Sequence, residues 1–154
     1  MLKRGLRFEV PNKYGTFISI VLKSIAVNDY DWILNHIEVH SSNKNDDDLW
    51  NENQPFILSG EVLKERIDLP NYYTVFGEFF AYPRGNQPKL VSSYEEFKES
   101  AAEIVLLIVD SVYYDIYCKD EELIEQLYSN AKDNNFSNIE YIDENDTRTR
   151  LSVW

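Results

Sequence analysis

Ile104-Val105-Leu106-Leu107-Ile108-Val109 is a run of six consecutive apolar residues, closed by Glu103 on one side and Asp110 on the other. Such a run is far short of the ~20 apolar residues of a membrane helix. Flanked by acids, it reads as a central β-strand covered on both faces. The rest of the chain must then supply cover for two faces of a sheet.

The neighbours of this run extend the pattern. Asp110-Ser111 permits a tight reversal into a second strand over 112–118. Asp120 then caps a helix with Glu121 and Glu122 in its first turn and Lys132 in its last. Its apolar stripe is Leu123, Ile124, Leu127, Tyr128 and Ala131. Asn134 or Asn135 suits the left-handed C-terminal position, and 138–142 reads as a strand. Strand, helix and strand over 112–142 form a βαβ unit, for which a right-handed crossover is expected.

Upstream, residues 5–10 alternate Leu6, Phe8 and Val10 with Arg7 and Glu9, a half-buried strand ended by Pro11. Residues 14–25 show Phe17, Ile18, Val21, Leu22 and Ile25 at helical spacing, although Ile18, Ile20 and Val21 are β-branched and favour strand. Residues 32–40 alternate again, with Ile33, Ile37 and Val39 expected on one face and Leu34, His36, Glu38 and His40 on the other. The acidic, Asn-rich stretch at about 41–55 is expected to be a mobile loop. Ser59 caps a short helix to Asp68 with Val62, Leu63 and Ile67 inward, and Pro70 stops it. Residues 72–82 form an aromatic strand interrupted by Gly77. Ser93-x-x-Glu96 is a capping box, and 149–154 reads as a last strand. The expected fold is α+β: one domain over 1–154, with a single-layer mixed sheet of about six or seven strands, three or four helices and the C-terminal βαβ unit.

Charge narrows the function classes. Of 154 residues, 15 are Lys or Arg and 27 Asp or Glu, a net charge of −12. Residues 1–23 carry five basic groups against Glu9, so a local basic patch is expected there and, apart from Arg148 and Arg150, nowhere else. A surface this acidic repels nucleic acid and anionic membranes. With 44% apolar residues and one cysteine, Cys118, the chain is neither disordered nor a disulfide scaffold. The lone thiol fits a reducing cytoplasm. The first residues are basic but lack the apolar core of a signal peptide.

Several residue groups are candidates for chemistry. His36, Glu38 and His40 would share one side of a strand, two imidazoles and a carboxylate of the types that hold zinc or iron; the alternative is a solvated face. Glu78 lies between Phe76 and Phe80, and Asp115 between Tyr113 and Tyr117, as carboxylates in aromatic surroundings that could serve a hydrolase or simply face solvent. Cys118 shares a face with Val112, Tyr114 and Ile116 and reads as core. With five glycines dispersed and no GxSxG, Walker A or GxGxxG motif, no nucleotide or other cofactor is expected. On a C-terminal strand, Arg148, Arg150, Ser152 and Trp154 would share one face. Two guanidiniums beside an indole can hold an anion or an aromatic partner, or else pair with Asp143, Glu144 and Asp146.

Taken with Arg4-Gly5-Leu6-Arg7-Phe8-Glu9-Val10-Pro11-Asn12, Tyr117-Cys118-Lys119-Asp120 and the stretch from Asp143 to Trp154, the chain resembles from end to end a family of short acidic proteins from Gram-positive bacteria, classed as a domain of unknown function. The resemblance implies a bacterial cytoplasmic protein of one domain and supplies no activity. Eleven Tyr, eight Phe and three Trp suit an interface, because Tyr and Trp bury large areas with few rotatable bonds. The leading expectation is a non-enzymatic protein-binding module, inhibitor- or immunity-like toward a basic partner, with Tyr113, Asp115, Tyr117, Arg148, Arg150 and Trp154 at the contact. The competing expectation is a small hydrolase using Glu78 with Asp115, or a metal on His36, Glu38 and His40. An open sheet edge could also pair two copies of the chain.

Overall fold

The computed structural model describes residues 2–43, 50, 53–148 and 150–153. Seven strands form one sheet: β1 (Lys3–Glu9), β2 (Tyr30–Ser41), β3 (Phe56–Ser59), β4 (Tyr72–Pro83), β5 (Ile104–Val109), β6 (Tyr113–Cys118) and β7 (Ser137–Asp143). Their order is β3-β2-β4-β5-β6-β1-β7, so the apolar run forms the central strand. The helices are α1 (Phe17–Val21), α2 (Gly60–Ile67), α3 (Tyr94–Glu99) and α4 (Glu121–Asp133). The fold is α+β, as expected. Every pair of neighbouring strands is antiparallel. No neighbouring pair is parallel as a mixed sheet would require; β6 and β7, the strands of the βαβ unit, run parallel to each other but are separated by β1.

β5 is buried on both sides, as its composition requires. Ile104, Leu106 and Ile108 join a first-face core with Trp32, Leu34, Phe79, Tyr114 and Ile116, closed by Ile18, Leu63, Ile124 and Leu127 from α1, α2 and α4. Val105 and Leu107 join a second-face core with Ile33, Phe80, Tyr82 and Tyr117, closed by Val91, Phe97, Ala102 and Leu151. Helix α3 and the chain before it cover part of the second face, and the C-terminal segment lies across more of it.

Several local signals act as read. Asp110 and Ser111 both adopt positive φ, 51° and 67°, in the reversal between β5 and β6. Ser59, Ser93 and Asp120 each accept a backbone N–H at their helix N-terminus. Asn135 takes the left-handed position after α4, with φ 58°.

Other elements differ from expectation for identifiable reasons. The predicted helix over 14–25 shrinks to α1 followed by a 3-10 turn at Leu22–Ser24. Gly15 is drawn into a bridge with Tyr72, Thr16 gives no side-chain cap, and the β-branched residues propagate a helix poorly. Val62 is exposed on α2, whose inward residues are Leu63 and Ile67. The four-residue strand β3 was not expected, and the C-terminal residues expected as a strand form none among those described. Of the stretch at 41–55, residues 44–49 and 51–52 lie outside the described residues. Trp50 is buried 6.1 Å from the Tyr72 ring. The Gln54 side-chain amide accepts from Ile37 N at 2.7 Å and donates to Ile37 O at 2.9 Å, taking the place of a strand beyond the end of β3.

The core predicts a steep loss of stability in alkali. Burial, with the Glu103 carboxylate adding to it, pushes the Tyr30 hydroxyl from the ordinary 10.0 up to about 12. Burial raises Tyr72, Tyr114 and Tyr117 further still. Raised folded-state values favour the neutral phenols. Their contribution is therefore fully present below pH ~10, where the unfolded chain keeps its protons, and is lost in stronger alkali, for Tyr30 as pH rises through about 12. Phenolate absorbance and circular dichroism followed together above pH 10 should show these tyrosines ionising with unfolding. Their ionisation at an unshifted pH in a folded chain would contradict this.

Candidate functional site

Strand register places one polar row across the second face. Asn35 of β2 lies opposite Glu78 of β4, and Glu78 opposite Leu107 of β5. Leu107 lies opposite Asp115 of β6, Asp115 opposite Arg7 of β1, and Arg7 opposite Glu140 of β7. Glu78 and Asp115 thus share a face two strand spacings apart, roughly 10 Å. Both are nearly enclosed, at 3% and 5% exposure. A buried carboxylate must be paired or hydrogen-bonded, and both are. Asp115 accepts from Arg7 Nε at 2.9 Å and Nη2 at 3.0 Å, a two-pronged pair. Arg148 Nε lies 3.3 Å from Oδ2, the oxygen that also accepts from Arg7 Nη2. Glu78 Oε2 sits 2.7 Å from His36 Nδ1 and accepts from Ser152 Oγ at 3.0 Å and Val153 N at 2.9 Å.

The His36, Glu38 and His40 cluster does not form as expected. β2 carries a bulge there: register shifts between Asn35 and Glu38, and His36 has φ 49°. Before the bulge, Trp32 and Leu34 face the first core and Ile33 the second; after it, Ile37 and Val39 face the first. The extra residue sends His36 to Glu78, while His40 Nε2 pairs separately with Glu38 at 3.1 Å. No group of three or more His, Cys, Asp or Glu is arranged for a metal among the described residues.

Of the expected contact residues, Tyr113, Asp115 and Arg148 come together with Arg7 around a groove of about 750 Å³ on the uncovered end of the second face. Glu9, Asp110 and Glu140 also line it, over Leu107 and Val109. Tyr113 is 53% exposed. Tyr117 is instead buried in the second core, its hydroxyl 3.5 Å from Asp146. Arg150 is exposed and Trp154 lies outside the described residues. Arg7 Nη1 also reaches Asp146 at 3.5 Å and Glu140 at 3.8 Å.

Two other expectations are corrected or refined. The aromatic side chains go mainly into the two cores, and Tyr14 and Tyr113 are the large aromatics exposed among the described residues. The N-terminal basic groups are largely engaged: Lys3 with Glu125 at 2.5 Å, Arg7 with Asp115, and Arg4 over the Tyr94 ring at 4.1 Å. Cys118 is core, and burial pushes its thiol up, away from the thiolate a nucleophile needs. Among the described residues, no helix is long and apolar enough to cross a membrane.

Sequence reasoning missed Arg7 as a site residue. Its partner Asp115 is 108 residues away. The available signal was a charged residue alternating with Leu6 and Phe8 on a strand whose other face also had to be covered.

Comparison with known proteins agrees with the resemblance and adds no chemistry. A family model described as "Protein of unknown function (DUF2691)" matches residues 3–152. The "Uncharacterized protein YncE" of Bacillus subtilis (strain 168), a Gram-positive bacterium, is 38% identical over 155 residues, covering 99% of this chain and 100% of the relative. No solved structure matches the chain significantly.

Proposed function

The chain belongs to the DUF2691 family of proteins of unknown function, and from that premise we propose that it is a cytoplasmic protein-binding module that docks a basic protein on the open end of its second sheet face. The observation carrying this reading is the groove itself. Tyr113 stands exposed beside it, and the lining holds four carboxylates against two guanidiniums. Both guanidiniums are already turned onto Asp115. A lysine or arginine side chain of a partner would therefore meet Glu9 and Asp110, and Glu140 beside Arg7, with the Tyr113 ring to cover its stem. The net charge of −12 would steer such a partner in and repel polyanions. An inhibitor- or immunity-like role toward a basic enzyme is one form this docking would take.

The hydrolase reading is less well supported, because the carboxylates it requires are enclosed and engaged by donors of this chain. The test is affinity capture from an extract of the source cells at low and high salt, with the wild type and with Tyr113→Ala. A basic protein should be retained at low salt and released at high salt. Removing an anchoring ring should cut its retention by about tenfold or more. Equal retention by the variant would move the docking surface elsewhere.

A further inference from the structure

Arg148 and the described residues 150–153 lie on the second face as a bound peptide would. They join no strand; they are held by side chains and by one backbone hydrogen bond. The Arg148 guanidinium reaches Asp115 at 3.3 Å. Leu151 inserts into the second core at 2% exposure, its N–H donating to Ser92 O at 3.0 Å. The Ser152 hydroxyl and Val153 N–H donate to Glu78. Arg148 Nη1 also donates to Ser152 O at 3.2 Å, so the segment partly organises itself.

Each carboxylate also has a partner on the sheet itself. Asp115 keeps its two-pronged bond to Arg7, and Glu78 keeps His36, if the tail leaves. A buried carboxylate stripped of all donors would force the tail to stay. Here each also has a partner on the sheet, so an open seat would strand neither carboxylate.

We propose that this face is a recognition surface for an extended peptide carrying an arginine followed three residues later by an aliphatic side chain, and that the chain's own tail is its exchangeable occupant. The inference deepens the docking reading, and rests on it for the claim that the face serves a partner. The partner would then offer two anchors: a basic group and an aliphatic one. A tail tethered beside its seat competes at high effective concentration, so binding in trans is weakened by the fraction of chains with the seat open.

The test uses the full chain, as wild type and as Leu151→Asp, with a fluorescent synthetic peptide of sequence Thr-Arg-Thr-Arg-Leu-Ser-Val-Trp, that of residues 147–154. The peptide should bind Leu151→Asp about tenfold or more tightly than the wild type, and the same peptide with its second arginine, the counterpart of Arg150, left intact but its first changed to glutamate should not bind. Equal binding to both proteins, or none to a folded variant, overturns the proposal. Amide exchange on the wild type decides the matter if the variant does not fold. Leu151 and Val153 should exchange through a local opening, faster than Leu106 and Ile108 of β5. Exchange of all four only on global unfolding would make the tail plain core and refute the inference. Either result leaves capture through Tyr113 unaffected, so the two readings fail separately.

Discussion

Gly5→Ala should destabilise the fold by about 3 kcal/mol or more, at or beyond the upper end of typical overpacking costs. The reason is a close approach of two backbones. A Cβ built on Gly5 would stand 2.0 Å from the carbonyl oxygen of Ile116 and 2.9 Å from the Tyr117 Cα. Both atoms are main chain of β6 and cannot swing aside as a side chain would. β1 would have to leave β6, and it also carries β7 on its other edge, where register already shifts between Lys3 and Gly5. Gly85 supplies the contrast. It has φ 92° and nothing within 4 Å of a built Cβ, so Gly85→Ala acts through backbone conformation alone and should cost about 1 kcal/mol. Urea unfolding of both variants measures the difference. A Gly5→Ala midpoint equal to that of Gly85→Ala would mean that β1 does not lie so close to β6.

Asp115→Ala is expected to be the most damaging single change in the polar row. It leaves two guanidiniums without the carboxylate on which both converge. Removing one partner of a buried pair costs ~3–5 kcal/mol. Arg7 is about a third exposed and retains Asp146 and Glu140 nearby, so about 2–3 kcal/mol is expected after solvent takes up part of the charge. The loss should divide unequally. A double-mutant cycle of Asp115 with Arg7 should show stronger coupling than one with Arg148, because Arg7 makes two short aligned bonds and Arg148 one longer contact. Negligible coupling in both cycles would mean that the row contributes little to stability.

Local chemistry made much of this fold readable. The run Ile104–Val109 is central because six apolar side chains cannot be buried by one layer alone, and it contributes to both cores. Asp110-Ser111, Ser59, Ser93, Asp120 and Asn135 carry their turn and cap geometry in their own side chains and backbone preferences. The strand β3 was hidden because four residues are too few to display a period. The C-terminal stretch alternates like a strand, but among its described residues none joins a ladder. Its alternating groups are used to grip two carboxylates instead.

The candidate site was legible only in fragments. Asp115, Tyr113 and Arg148 could be singled out as unusual residues, but their meeting point depends on Arg7 entering between β6 and β7. His36, Glu38 and His40 looked like a cluster because strict alternation places them together, and a single bulge residue separated them.

What the sequence determined by itself was the composition of each element and the need for cover on two faces, since period, capping and apolar runs are interactions between residues a few positions apart. Tertiary structure alone decided which carboxylate meets which guanidinium. Strand order and register bring together residues more than a hundred positions apart, and a one-residue shift in register reverses the face on which a side chain emerges.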